Sequence, residues 1–346
     1  MLEPYFIRTA LDTEFYDKYL APRLPETVFD AHLHIRLPEH HKNVDPSQIA
    51  MDWAAQCCEC MTAEDMHGYA KVFWPDRKFK VNALGTVTKG ADHAGCNAYL
   101  AHMLREKKVD YAEMVLNPAW SDAFVEETLV EGNFTGYKPY PDMVTGQKGA
   151  EIPIPAFLPP SKMEILNRHK KAVTIHIPRA GRFADDNNVA ELKKLADDYP
   201  DAKIIIAHFG RSYAEGVFEE GVKKFGPDYM KRFYFDVAAV LNPKVLEIAF
   251  QVMDMKKVIY GTDLPVFLWH GKRRWTRYEY FNLAREDFPW TTHEEGPEAE
   301  EQYTFFLYEQ AKNILDICDK VGGGREMAAD IFCNNAEALF ASTVNE

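Results

Sequence analysis

Four histidines and one aspartate stand at the ends of apolar runs. His32 and His34 close FDAHLHI, His176 closes VTIHI, His208 closes IIIAH, and Asp263 follows VIYGT. In an extended strand residues two apart face the same side, so His32-x-His34 offers two imidazoles to one place. Two imidazoles, a third from another strand and a carboxylate form a donor set of borderline softness. It suits Zn²⁺ best, with Mn²⁺, Fe²⁺ or Co²⁺ as alternatives. Each residue alone has a plainer reading: a surface or core histidine bonded to backbone, or an aspartate in a turn or helix cap. Apolar strands otherwise exclude polar side chains, and their joint occurrence at strand ends predicts a divalent-metal site. A divalent ion lowers the pKa of its water to roughly 7, and a neighbouring histidine titrates where it can move protons. Asp30 precedes His32 by two residues; it is expected on the same face, deeper, as an acceptor for a ligand's ring N–H.

These residues meet only if the strands that carry them lie side by side. Eight β-branched or apolar runs, at 27–33, 79–87, 111–116, 134–138, 172–177, 203–208, 232–237 and 257–262, predict strands. Amphipathic stretches between them predict helices, at 46–69, 95–107, 121–131, 161–170, 189–198, 213–224 and 243–253, with 298–321 and 324–340 after the last strand. Several strands, AVTIHI and KIIIAH among them, are apolar on both faces, as parallel strands covered by helices must be. This alternation predicts an α/β fold, a (β/α)₈ TIM barrel, whose strand ends converge on one mouth. A doubly wound open sheet is the structural competitor, but no glycine-rich phosphate-binding loop follows any strand. One domain over 1–346 is expected, with an N-terminal extension at 1–26 and a long insertion at 264–297.

The 346 residues are 47% hydrophobic and 27% charged, with a formal charge of −13, which is globular composition. That acidity disfavours nucleic-acid or membrane-surface partners. No apolar run is long enough to span a membrane, and the first residues, MLEPYF, carry no basic-then-apolar leader, so a cytoplasmic setting is expected. Six cysteines, three of them at Cys57, Cys58 and Cys60, make a poor disulfide framework and are expected as ordinary helix thiols.

Asp30-x-His32-x-His34, His176, His208-Phe209-Gly210 and Gly261-Thr262-Asp263-Leu264-Pro265 together resemble the amidohydrolase superfamily. The resemblance is to its amidohydrolase-related (family 2) metal-dependent hydrolases, which include the aminocarboxymuconate-semialdehyde decarboxylase-like branch. Ile331-Phe332-Cys333-Asn334-Asn335-Ala336 is similar to that branch's closing segment, and the likeness covers about residues 27–340. It implies that His32, His34, His176 and Asp263 hold one divalent metal, that His208 is the general acid/base, and that Asp263 both binds metal and accepts a proton. Lys138 stands where binuclear superfamily members carry a carboxylated, metal-bridging lysine. The single-metal reading is preferred here, with Lys138 as an ammonium facing substrate or, as the plainer alternative, a structural ion-pair partner.

Arg179 and Arg211 each follow a strand-end histidine by three residues. The insertion carries Arg273 and Arg274 among tryptophans and tyrosines, a basic aromatic stretch in an acidic chain that would lie over the mouth as a lid. Guanidinium forks suit carboxylates. The expected activity is therefore hydrolysis of an amide, lactone or ester bond in a small, carboxylate-bearing substrate, through a metal-activated water. A metal-dependent non-oxidative decarboxylase using the same site is the alternative, and a non-catalytic metal-binding protein the second. A homodimer is implied by the resemblance, with Tyr5, Phe6, Phe15, Tyr16 and Tyr19 as candidate contacts.

Overall fold

The computed structural model describes residues 7–144 and 151–344. Eight parallel strands run in chain order around one sheet: β1 Thr27–His34, β2 Lys78–Leu84, β3 Tyr111–Leu116, β4 Gly136–Pro139, β5 Ala172–Ile175, β6 Lys203–Ile206, β7 Tyr234–Asp236 and β8 Val258–Ile259. Backbone bonds then join the first strand to the last: Ala31 N–H to Tyr260 O at 2.9 Å, Asp263 N–H to His32 O at 2.7 Å and His34 N–H to Leu264 O at 2.7 Å. The result is the expected (β/α)₈ barrel, with helices packed outside and the strands' C-terminal ends at one mouth.

Local chemistry places the helices and interrupts two of them. The stretch at 46–69, expected as one helix, forms Pro46–Met51, Trp53–Cys57 and Ala63–Phe73. Asp52 caps the second piece by accepting from Ala54 and Ala55 N–H, and a Thr62/Asp65 capping box starts the third. Cys57 is accordingly helical while Cys58 and Cys60 lie in the break, and no disulfide joins the six cysteines. The stretch at 298–321 is likewise divided, into Pro297–Glu300 and Phe306–Lys320. Among the described residues no helix is long and apolar enough to cross a membrane.

The insertion after β8 folds into a small sheet of its own. Strands β9 Gly271–Trp275 and β10 Tyr280–Ala284 pair antiparallel, and β11 Thr291–Thr292 adds beside β10. The N-terminal extension packs onto the chain's own last helices, with Tyr16 buried and its ring 5.7 Å from that of Tyr308. Phe15 stacks on Tyr308 and Tyr19 packs tilted against Phe15, so these rings cover the chain's own core; Tyr5 and Phe6 lie outside the described residues.

Extension and insertion are joined by a buried ion-pair network. His270, fully buried, has Nε2 3.1 Å from Asp12 and Nδ1 2.8 Å from Glu286. Burial alone would lower the His270 pKa; the bonds to the two carboxylates outweigh it and raise it above 6.5. The Arg285 guanidinium, 2.7 Å from Nδ1, is the opposing charge. Burial likewise pushes Asp12 up, and His270 and Thr9 pull it below 3.8. The His270 contribution to stability is therefore complete below pH 6.5 and lost as pH rises through its raised folded value. The Asp12 contribution is present above pH 3.8 and lost as pH falls through its lowered value. Replacing His270 by Ala should cost about 3 kcal/mol in urea unfolding, since it strands a buried carboxylate. The loss should be largest between these limits and shrink toward pH 9; a pH-independent loss would exclude a charged imidazole.

Candidate metal centre and substrate pocket

A cavity of about 430 Å³ opens at the barrel mouth, with His32, His34, His176, His208, Asp263 and Lys138 among its lining. The two imidazoles of β1 reach it by a route that strict alternation does not describe. Asp30 pairs with Val81 and Leu33 with Ala83, so one extra residue sits in β1 between them. Asp30 is consequently turned onto backbone: it accepts from the N–H of His32 at 3.1 Å and of Thr262 at 3.0 Å, and from the Thr262 hydroxyl. The acceptor for the His32 ring is Asp236, at the end of β7.

Three of the four imidazoles are oriented alike. Nδ1 of His32 lies 3.0 Å from Asp236 Oδ2, that of His34 2.7 Å from Gly85 O, and that of His208 3.0 Å from Ala238 O. All three partners are oxygen acceptors, which assigns the proton to Nδ1 and leaves the Nε2 lone pair for the cavity. Those Nε2 atoms gather around Asp263: His32 at 3.5 Å, His34 at 3.6 Å and His208 at 3.9 Å from its oxygens. Ligand atoms of His32, His208 and Asp263 all lie within 4.8 Å of one another. His176 stands further out, its ring 5.6 Å from that of His208 and 5.0 Å from Tyr140, and among the described residues that ring makes no hydrogen bond.

His208 opens an irregular turn, with φ of 56°, 46°, 66° and 58° at His208, Phe209, Gly210 and Arg211. Left-handed backbone costs an L-residue roughly 1–2 kcal/mol, so the surroundings must hold it. Phe209 is fully buried against Phe218 and Phe235, and Arg211 donates to Ile177 O and Arg179 O.

Burial dominates the electrostatics. It drives His32, His176 and His208 well below the usual imidazole range, and Lys138 adds to this by its charge. His34 is pushed down to about 3 by the same two causes. All four rings are therefore neutral near pH 7, the state in which imidazole binds a metal. Burial also raises Asp263, with Lys138 pulling it back and Asp236 adding to the rise. Asp30 and Glu113, buried inside the barrel, are each pushed up to about 7. Against these carboxylates and Asp236 stands the buried ammonium of Lys138, 3.1 Å from His32 Nε2, itself lowered by burial. The donor chemistry fits a divalent cation: neutral imidazole lone pairs facing a carboxylate in an acid-rich interior.

The predicted cationic residues are divided by the fold. Lys138, Arg211 and Arg273 line the cavity. Arg273 is buried against the touching rings of Tyr213 and Tyr280, 4.7 and 4.5 Å from their centroids, and bonds Asn282 and Ala239 O. Arg274, on the opposite face of β9, pairs with Glu294 outside. Arg179 is spent on Asn188 and Glu191, away from the lining. Two residues, Arg36 in the cavity lining and Asp236 behind His32, had a signal that sequence reasoning passed over. Asp236 ends the apolar strand YFD as Asp263 ends the eighth, and Arg36 continues the His32-x-His34 spacing by two. Arg36 reaches the cavity rim held by Asp52 and Thr88.

Solved structures share this architecture at low identity. A 5-carboxyvanillate decarboxylase of Novosphingobium aromaticivorans, complexed with manganese and 4-hydroxy-3-methoxy-5-nitrobenzoic acid, aligns at 12% identity over 99% of this chain and 100% of its own, with a TM-score of 0.55. A 4-oxalomesaconate hydratase of Rhodopseudomonas palustris aligns at 12% over 91% and 95%, TM-score 0.52. A candidate 2-pyrone-4,6-dicarboxylic acid hydrolase of Pseudomonas putida aligns at 14% over 93% and 100%, TM-score 0.54. No curated protein sequence matches the chain. The family model described as Amidohydrolase matches residues 83–341, and with the barrel and its histidine-lined mouth this places the chain in the amidohydrolase family of metal-dependent enzymes.

Proposed function

We propose that the protein is a metal-dependent hydrolase of a small carboxylate-bearing substrate, cleaving an amide, lactone or ester bond. The observation that carries this reading is the gathering of neutral imidazole nitrogens around Asp263 in a cavity rimmed by Lys138, Arg211 and Arg273. His32, His34, His176 and Asp263 would hold one divalent ion. The His176 ring lines the cavity and makes no hydrogen bond among the described residues, which leaves both its nitrogens open to a ligand's place. When bound, the ion polarises a substrate oxygen and acidifies water.

The chain's own residues supply the rest. His208, tied at Nδ1, presents Nε2 to the cavity beside Asp263, where it takes a proton from the attacking water and returns it to the leaving atom. Asp263 turns one oxygen toward His208, 3.9 Å from Nε2, where it would share the handling of that same proton. Arg273 cannot swing freely, because Tyr213, Tyr280, Asn282 and Ala239 fix it, so it binds a substrate carboxylate at one set position. Tyr213 and Tyr280 also line the cavity, where they would border the planar or cyclic body of the substrate.

Decarboxylation is the second reading. It is favoured by the three cations and aromatic walls around the same centre, which suit a carboxylated ring, and by the carboxyvanillate decarboxylase among the structural relatives. Against a panel of lactones and aromatic carboxylates, hydrolysis releases acid without CO₂; CO₂ release without a hydrolysed product would establish the alternative.

Elemental analysis should find about one metal per chain. His176→Ala should lose it, whereas His208→Ala should keep it and drop kcat by about 10²–10⁴-fold. Metal lost from His208→Ala and kept by His176→Ala would instead make His32, His208 and Asp263 the metal set. Arg273→Ala should raise KM for the anionic substrate by about 10–100-fold, the worth of a charged hydrogen bond. Arg274→Ala should leave KM unchanged, and equal effects at both positions would remove Arg273 from the pocket's binding role.

A further inference from the structure

Asp236 is hydrogen-bonded both to the ring of His32 and to the main chain at His208. It ends β7 and is 1% exposed. Its Oδ2 accepts the Nδ1 proton of His32 at 3.0 Å; its Oδ1 accepts the backbone N–H of His208 at 2.9 Å and of Ala238 at 3.1 Å. One carboxylate thus grips a side chain from β1 and the main chain after β6. The gripped main chain is the first residue of the left-handed turn His208–Arg211. Ala238 in turn accepts from the His208 ring, so the ring and the backbone of His208 are both referred to the same short segment after β7.

We propose that Asp236 is the positioning residue of this centre: it sets His32 in the tautomer that points the Nε2 lone pair at Asp263, and it anchors the turn that aims His208. This rests on the metal-dependent reading above. The ligand and the proton-transfer group are then placed relative to each other through a single rigid carboxylate.

The task demands a carboxylate. Asp236 faces three N–H donors and donates nothing. An asparagine of the same shape has one acceptor oxygen, and its NH₂ must confront either the His32 ring N–H or the two backbone N–H groups. Orienting partners of this kind typically change metal affinity by about 10–100-fold when removed.

The test uses Asp236→Asn, nearly isosteric, with Asp236→Ala beside it. Binding of Zn²⁺ and Mn²⁺ is measured by competition with a chromophoric chelator, on protein whose folding is verified by circular dichroism and melting. The expected result for the folded Asp236→Asn protein is metal binding weakened about 10–100-fold, with kcat falling more than KM changes. A merely structural carboxylate would lower the melting temperature and leave the affinity of the folded chains alone; wild-type affinity in Asp236→Asn overturns the proposal. Should neither variant fold, ¹⁵N shifts of His32 in the metal-free wild-type protein still decide. A proton on Nδ1 is expected, and a proton on Nε2 overturns the proposal. If the wild-type chain binds no metal, the metal-dependent reading fails, and the His32 tautomer reports on Asp236 independently.

Discussion

The centre depends on closure of the barrel. Its side chains come from β1 and from the segments after β5, β6 and β8, which are far apart in sequence. The bonds from His32 and His34 to Asp263 and Leu264 close the cylinder and bring the first and last donors side by side in the same step. Backbone hydrogen bonding cannot be satisfied at an open strand edge without water or another strand. The requirement that pairs β1 with the end of β8 is therefore the one that sets Asp263 against the two imidazoles.

Closure also buries charge, and the interior is arranged around that cost. Asp30 is neutralised in effect by donors from Thr262 and His32, Glu113 by Thr174 and Asn82, and Asp236 by His32, His208 and Ala238. Each carboxylate keeps hydrogen bonds that replace water, which is the condition for holding a charge inside a protein. Lys138 is the buried ammonium within reach of this group, and it lies against the same His32 nitrogen that faces Asp263. Buried carboxylates and neutral imidazoles together form a donor set that fits a divalent cation.

The insertion contributes to the pocket by the simplest rule of strand geometry. Arg273 and Arg274 are neighbours on β9, and alternation sends one into the aromatic wall and the other to Glu294 outside. The His270 network ties the base of this sheet to the N-terminal extension, so the two segments added to the barrel support each other.

Much of this was legible in the residues alone. Apolar two-faced runs at regular spacing determine a parallel sheet covered by helices, and polar residues at the ends of such runs can only belong to its mouth. His32, His34, His176, His208, Lys138 and Asp263 all line the cavity for that reason. What the sequence could not decide is how those residues are turned and paired. The extra residue in β1 moves Asp30 onto backbone and leaves the His32 ring to Asp236, a partner 204 positions away. Capping by Asp52 and Thr62 divides a stretch whose hydrophobic pattern alone is continuous. Arg179 and Arg211 have the same spacing from their histidines, yet Glu191 and Asn188 take one away while the other lines the pocket. Periodicity is a property of neighbours along the chain, and it determines elements and faces. Hydrogen-bond partners, tautomers and ion pairs are chosen among groups that only folding brings within 3 to 4 Å, so they belong to the tertiary structure.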